Sequence, residues 1–135
     1  MQKIYLLCGV PGSGKSWVCE QLQEKFEYIA NDDYIGKDYI KELFLRARRS
    51  EKPVLADCPF AERKVREELE NLKLTVVPYF IVESPQVVKK RYEARDLKPV
   101  PSNVVTRSMT IKNRADEWRA PHGTSSEVLE LLRSV

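Results

Sequence analysis

A chain of 135 residues, 42% hydrophobic and 32% charged, fits one compact domain spanning residues 1–135 and leaves no room for two. No run approaches the roughly 18 apolar residues of a membrane span, and the chain opens on a strand-like segment rather than a basic-then-apolar leader. A cytoplasmic protein without a membrane partner is therefore expected, and its net charge of +3 excludes neither small nor large anionic ligands.

In chain order, Lys3 to Cys8 is a short apolar run suited to a strand buried on both faces. Lys15 to Phe26 follows with Val18, Leu22 and Phe26 at helical spacing. Tyr28 to Asn31 is a brief strand, and Asp38 to Arg49 a helix with Tyr39, Ile40, Leu43, Phe44 and Ala47 on one side. Pro53 to Asp57 is a strand, and Ala61 to Leu72 a helix carrying Val65, Leu69 and Leu72. Thr75 to Val82 is strand-like, although Pro78 sits awkwardly in a central strand because it lacks a donor. Pro85 to Arg95 is helical, with a proline in its first turn. Past a loop from Leu97 to Pro101, Ser102 can cap a helix running to about Arg114. A last amphipathic helix spans Ser126 to Ser134, and His122 falls in a polar loop with no catalytic partner. Alternating strands and helices predict an α/β fold, a three-layer sandwich around a central parallel sheet.

Cys8, Cys19 and Cys58 are odd in number and lack CxxC spacing, so no disulfide partner or zinc site is indicated. They fit the thiols of a reducing compartment. Charge is uneven: residues 86–119 hold nine Lys/Arg against four acids, a surplus of five that leaves the remainder at −2. Such a zone suits a polyanion or a solvated basic face.

Gly9-Val10-Pro11-Gly12-Ser13-Gly14-Lys15-Ser16 matches GxxxxGK[ST] in full, between an apolar strand and an amphipathic helix. Its glycines let successive N–H groups converge on a phosphate. Lys15 is placed to bridge the β- and γ-phosphates, and the Ser16 hydroxyl to ligate Mg²⁺. The expected ligands are ATP and Mg²⁺. The most economical chemistry is transfer of the γ-phosphoryl group to a hydroxyl.

Ligands of open α/β sheets bind beyond the carboxyl ends of the strands. Asn31-Asp32-Asp33-Tyr34 and Asp57 fall there. Either Asp32 or Asp33 can serve as the base that takes the acceptor proton; spacing does not separate them, and a helix or turn cap is the alternative. Asp57 closes a run of apolar residues and can hold Mg²⁺ through water, position the acceptor, or cap the next helix. Arg91 and Arg95 lie four apart and share a helix face. They can bear on the triphosphate from a helical lid over about residues 86–114, with Arg95 the better placed for the transition state, or serve as helix-surface residues.

GVPGSGKSW, NDDY about fifteen residues on, VLAD and KKRYEARDLKPVPSNVVTRS together resemble the kinase domain of phage-type 5′-polynucleotide kinases over most of residues 3–118. The resemblance implies an adenylate-kinase-like fold, with Asp32 as general base and Lys15, Ser16 and Arg95 on the ATP phosphates. It also implies a DNA or RNA 5′-hydroxyl as acceptor. The arginine that clamps the acceptor phosphate in that family, just after Asp-Asp-Tyr, is replaced here by Ile35. Arg48, Arg49 and Arg63 are the substitutes the sequence offers, and no phosphatase motif follows. The remaining alternatives are kinases of a hydroxymethylated DNA base, a nucleoside or nucleotide, or another small metabolite. Outside the kinases, the alternative is a nucleotide-dependent switch or assembly ATPase.

Overall fold

The apolar run near the start of the chain becomes the centre of a sheet. In the computed structural model, which describes residues 3–10, 12–30, 38–58, 63–96 and 104–135, positions 58, 63, 92, 95, 96 and 104–106 are described by backbone alone. β1 (Lys3–Cys8) lies between β3 (Val54–Cys58) and β4 (Thr75–Ile81). β2 (Glu27–Ile29) and β5 (His122–Gly123) form the edges, giving the order β2-β3-β1-β4-β5 with every pair parallel. β1 has neighbours on both sides and helices above and below, so its side chains are apolar in both directions. Ile4, Leu6 and Cys8 face one layer, and Tyr5 and Leu7 the other; of these only Tyr5 is more than 1% exposed.

Two helices cover the Tyr5 face: α1 (Lys15–Gln21) through Val18 and Cys19, and α6 (Ser125–Arg133) through Val128, Leu129 and Leu132. Four cover the opposite face. They are α2 (Tyr39–Arg49), α3 (Arg63–Asn71), α4 (Pro85–Asp96) and α5 (Val104–Glu117), packed through Leu43, Ala47, Leu69, Val88, Ile111 and Ala115. Each fully buried Leu, Ile or Val is worth roughly 1.5–3 kcal/mol over an exposed one. That outweighs intrinsic propensity for a helix as short as α1, whose seven residues are too few to hold themselves. The three-layer sandwich around a parallel sheet is thus the architecture that the alternating pattern implied.

Element ends shift for identifiable reasons. α1 stops at Gln21 rather than Phe26, because Leu22 N–H turns back to the Cys19 carbonyl; Leu22 and Phe26 still reach the core from the following turns. Asp38 lies outside α2 and caps it, accepting from Lys41 N–H at 3.0 Å. α5 runs on to Glu117, past Arg114. α6 starts at Ser125, one residue earlier than its pattern suggested, under a reciprocal capping box of Thr124 and Glu127. His122 is not in a loop. It pairs with Phe80 in the two-residue β5, too short an element to leave a pattern in the sequence.

Pro78 does lie inside β4, opposite Leu6. Along this strand the amides of Phe80 and Val82 donate outward to Pro121 and Gly123, so even-numbered positions face β5. Pro78 shares that direction but precedes the level at which β5 begins. Its missing N–H falls where the ladder has no partner strand, which is how a proline is tolerated here.

At the opposite edge, Glu27 joins β2 to α2 through Arg46 at 2.6 Å, and Arg46 also holds Glu42 at 2.8 Å. A hydrogen bond from Ser50, then Arg46, keeps the Glu27 carboxyl below its ordinary range. A lowered folded pKa means stability present above the unfolded value and lost as pH falls through the folded one. Glu27→Gln should therefore lower stability near neutrality and flatten part of the acid limb of a stability–pH curve measured by denaturant titration, the variant and the wild type converging once the carboxyl is protonated.

Candidate active site

Loop 9–16 joins β1 to α1, and its shape depends on two glycines with positive φ, Gly12 at 85° and Gly14 at 103°. Gly14 also has no space for a side chain: a Cβ would lie 3.0 Å from Ser125 Cβ and 3.1 Å from Arg91 Nη1. Gly14→Ala should cost ~1–3 kcal/mol of stability, read by denaturant unfolding, from the strained backbone alone. At Gly9 a Cβ would come within 2.6 Å of Ser13 Oγ. That hydroxyl is fully buried and is without a hydrogen-bond partner among the described residues. A buried orphan hydroxyl in a glycine-shaped turn fits a loop built around an anion.

Lys15 opens α1, and its ammonium lies 3.2 Å from Asp57 Oδ1, with the two side chains only 10% and 12% exposed. The register explains the meeting: Asp57 sits opposite Leu7, so the end of β3 flanks the strand that runs into the loop. The helices leaving β1 and β3 cover opposite faces, so a crevice opens at the carboxyl ends of these strands. Ser16 follows on the first turn of α1, exposed. Lys15, Ser16 and Asp57, three residues singled out from the sequence, are thus brought to one end of the sheet. The Asp57 carboxylate faces Lys15, and its charge, after burial, helps push the Cys19 thiol far up, so Cys19 stays a protonated core residue.

Tyr39 was expected only as part of an apolar stripe. Its hydroxyl reaches the carbonyls of Ile29 at 3.0 Å and Asp57 at 2.9 Å, stitching the carboxyl ends of β2 and β3 together. Nothing in the sequence distinguishes it from its apolar neighbours on α2. Glu83 was missed although a signal existed: it ends Phe80-Ile81-Val82-Glu83 as Asp57 ends Val54-Leu55-Ala56-Asp57. It lies just past β4, its side chain 6% exposed, and accepts from Ser125 N–H at 2.8 Å and Ser125 Oγ–H at 3.0 Å.

Arg91 projects to the loop, but its described contacts are with protein. Nη1 donates to the Ser13 carbonyl at 2.7 Å and lies 3.5 Å from Glu83 Oε1, while Nη2 lies 3.4 Å from Ser125 Oγ. Arg48 lies over the Phe44 ring of its own helix, 5.5 Å from the centroid. Arg114 pairs with Glu117 at 2.9 Å and, with Arg66, stacks on Trp118, which packs edge-on against Phe80. Arg49 is exposed at the end of α2. Pro11, Asp32, Asp33 and Ile35 lie outside the described residues, as do the side chains of Arg63 and Arg95. Among the described residues no group of three or more His, Cys, Asp and Glu could by itself hold a metal. A recess of about 540 Å³ bordered by Phe26, Glu27, Ser50 and Lys52 lies at the amino ends of β2 and β3, the far end from the loop, and contains none of these residues.

No protein-family model and no curated protein sequence matches the chain. Solved structures do. A gluconokinase from Sinorhizobium meliloti 1021 superposes with a TM-score of 0.69 at 21% identity, over 96% of this chain and 88% of its own. The tunicamycin resistance protein of Deinococcus radiodurans gives 0.65 at 16%, over 99% and 95%. A sugar kinase from Janibacter sp. HTCC2649 gives 0.58 at 17%, over 82% and 78%. The chain shares the fold of these structures. A designed protein named for the P-loop fold also superposes, with a TM-score of 0.56 over the whole of this chain. In that shared fold the Lys15–Asp57 pair stands at loop 9–16 and the end of the neighbouring strand. No helix among the described residues is long and apolar enough to cross a membrane.

Proposed function

We propose that this chain is a nucleoside-triphosphate-dependent kinase that moves a γ-phosphoryl group onto a hydroxyl. The observation that carries it is Lys15 held 3.2 Å from Asp57 beside a loop shaped by Gly12 and Gly14. An ammonium on a flexible stem can leave a carboxylate for a more highly charged triphosphate. Arrival of the nucleotide would then free Asp57 for a second task. Ser16 and Asp57 are the residues that would hold Mg²⁺; when bound, the ion neutralises charge on the β- and γ-oxygens. The backbone of residues 9–16 grips the β-phosphate, and Lys15 spans to the γ-phosphoryl. Arg95 adds charge stabilisation from the lid, and Asp32 takes the proton of the attacking hydroxyl.

For the acceptor, the first reading is a nucleic acid 5′-hydroxyl. The Asp-Asp-Tyr sequence and the Arg91/Arg95 spacing of the polynucleotide kinase pattern support it. A hydroxyl on a small metabolite is the second. Among the described basic residues of the 86–119 segment, Arg91 and Arg114 make contacts with the protein itself, which weakens the case for a polyanion. The superposing gluconokinase and sugar kinase point the same way.

The test is transfer of label from γ-labelled ATP with magnesium to separate acceptors: 5′-hydroxyl DNA and RNA oligonucleotides, hydroxymethylated DNA, nucleosides, and gluconate with other small polyols. Label on an oligonucleotide, with a KM that rises steeply with salt, supports the first reading. Label on a polyol supports the second. Label released only as free phosphate turns the chain into a switch ATPase, and no hydrolysis or transfer at all overturns the kinase reading.

A further inference from the structure

Ser13 lies between the two positive-φ glycines of the loop, so its flanking peptides can rotate at little steric cost. Rotation matters at the Ser13–Gly14 peptide. A trans amide points its carbonyl and its N–H in opposite directions. One orientation directs the Gly14 N–H into the anion nest; the flipped one puts a carbonyl oxygen there and repels phosphate. The Ser13 carbonyl is the atom that Arg91 Nη1 holds at 2.7 Å.

Arg91 is itself held. Glu83 Oε1 stands 3.5 Å from the same Nη1 and accepts both the N–H and the hydroxyl of Ser125, the first residue of α6. A carboxylate this buried is costly unless partnered, and its partners here are one guanidinium and one helix start. The network therefore joins four separate places in the chain: the loop, the end of β4, α4 and α6.

We propose that Arg91 and Glu83 are positioning residues for nucleotide binding, fixing the Ser13–Gly14 peptide so that its N–H faces the β-phosphate. This rests on the triphosphate reading above, and it assigns Arg91 a role exerted through the loop instead of through direct contact with the γ-phosphoryl group. Two effects act together. The flipped loop is removed from the unbound ensemble, so binding no longer has to select against it. The charged bond to the carbonyl also polarises the amide and strengthens its N–H as a donor.

A residue acting through the β-phosphate site affects diphosphate and triphosphate alike, whereas a γ-phosphoryl contact affects only the triphosphate or kcat. The experiment is calorimetric titration of ADP and ATP, each with magnesium, into wild type, Arg91→Met, Arg91→Lys and Glu83→Gln, with thermal melts as the folding control. Arg91→Met should weaken both nucleotides by the same factor, roughly ten- to a hundredfold, the range spanned by a charged hydrogen bond. Arg91→Lys should recover part of the loss, since an ammonium can still donate to Ser13. Glu83→Gln keeps an acceptor for Ser125 but removes the charge that holds Arg91, and should weaken both nucleotides by a smaller equal factor. In nucleotide-free protein, the Gly14 amide proton resonance should move upfield in Arg91→Met.

Wild-type affinity for both nucleotides in Arg91→Met, or a loss confined to ATP, overturns the assignment. If Arg91→Met does not fold, the same criteria are applied to Arg91→Lys and Glu83→Gln. A wild-type protein that binds neither nucleotide sinks the triphosphate reading instead, an outcome that cannot be confused with variants that bind as well as wild type.

Discussion

Lys15→Ala is expected to lower phosphoryl transfer by at least roughly 10²–10³-fold, the loss of one preorganised group aimed at developing charge. It should also destabilise the protein when no nucleotide is present. The motif alone suggests that the substitution spares the fold, but the ion pair changes that expectation. Removing Lys15 leaves Asp57, 12% exposed, facing an empty space where its counter-charge stood. Leaving a mostly buried charged group short of a partner costs ~1–3 kcal/mol. The double variant Lys15→Ala/Asp57→Asn should recover much of that stability and none of the activity. Denaturant unfolding of the wild type, both single variants and the double variant gives the coupling between the two sites. A single variant as stable as wild type would show that the pair contributes nothing to the resting fold. Full turnover by Lys15→Ala would remove the kinase mechanism.

Asp32→Asn is the second substitution with a large expected effect. Loss of a general base should cut kcat by roughly 10²–10⁴-fold while ATP affinity stays within about twofold. Asp33→Asn should cost far less. The two are neighbours in sequence, so the comparison separates a base from a residue that only shapes its loop. Reversal of the two effects moves the role to Asp33. Equal small effects would point to another proton acceptor near the crevice, and Asp57 would be the first to test.

Strands β1 to β4 were legible because each declares itself locally. Lys3–Cys8 is uninterrupted and apolar, and it needs no distant partner to be recognised as buried on both sides. The glycine-lysine loop was legible for the same reason, since its chemistry lies within eight consecutive residues. What escaped notice depends on long-range meetings. Arg91 finds the Ser13 carbonyl 78 positions away, and Glu83 finds Ser125 at a distance of 42. An arginine on a helix looks the same in sequence whether it faces phosphate, solvent or the back of a loop. Tyr39 shows a subtler limit. Its ring follows the apolar stripe that was anticipated for α2, while its hydroxyl serves two carbonyls that only the assembled sheet brings side by side. β5 was invisible because two residues carry no period; it exists through the amides of Phe80 and Val82.

Pro78 has an effect beyond its own strand. Position 78 is buried, so an amide there would have been cut off from water with no strand to accept its proton. The pyrrolidine ring at that position offers no proton to share. One imino acid thus spares the interior an unshared donor, and the residues beyond it remain able to receive His122 and Gly123.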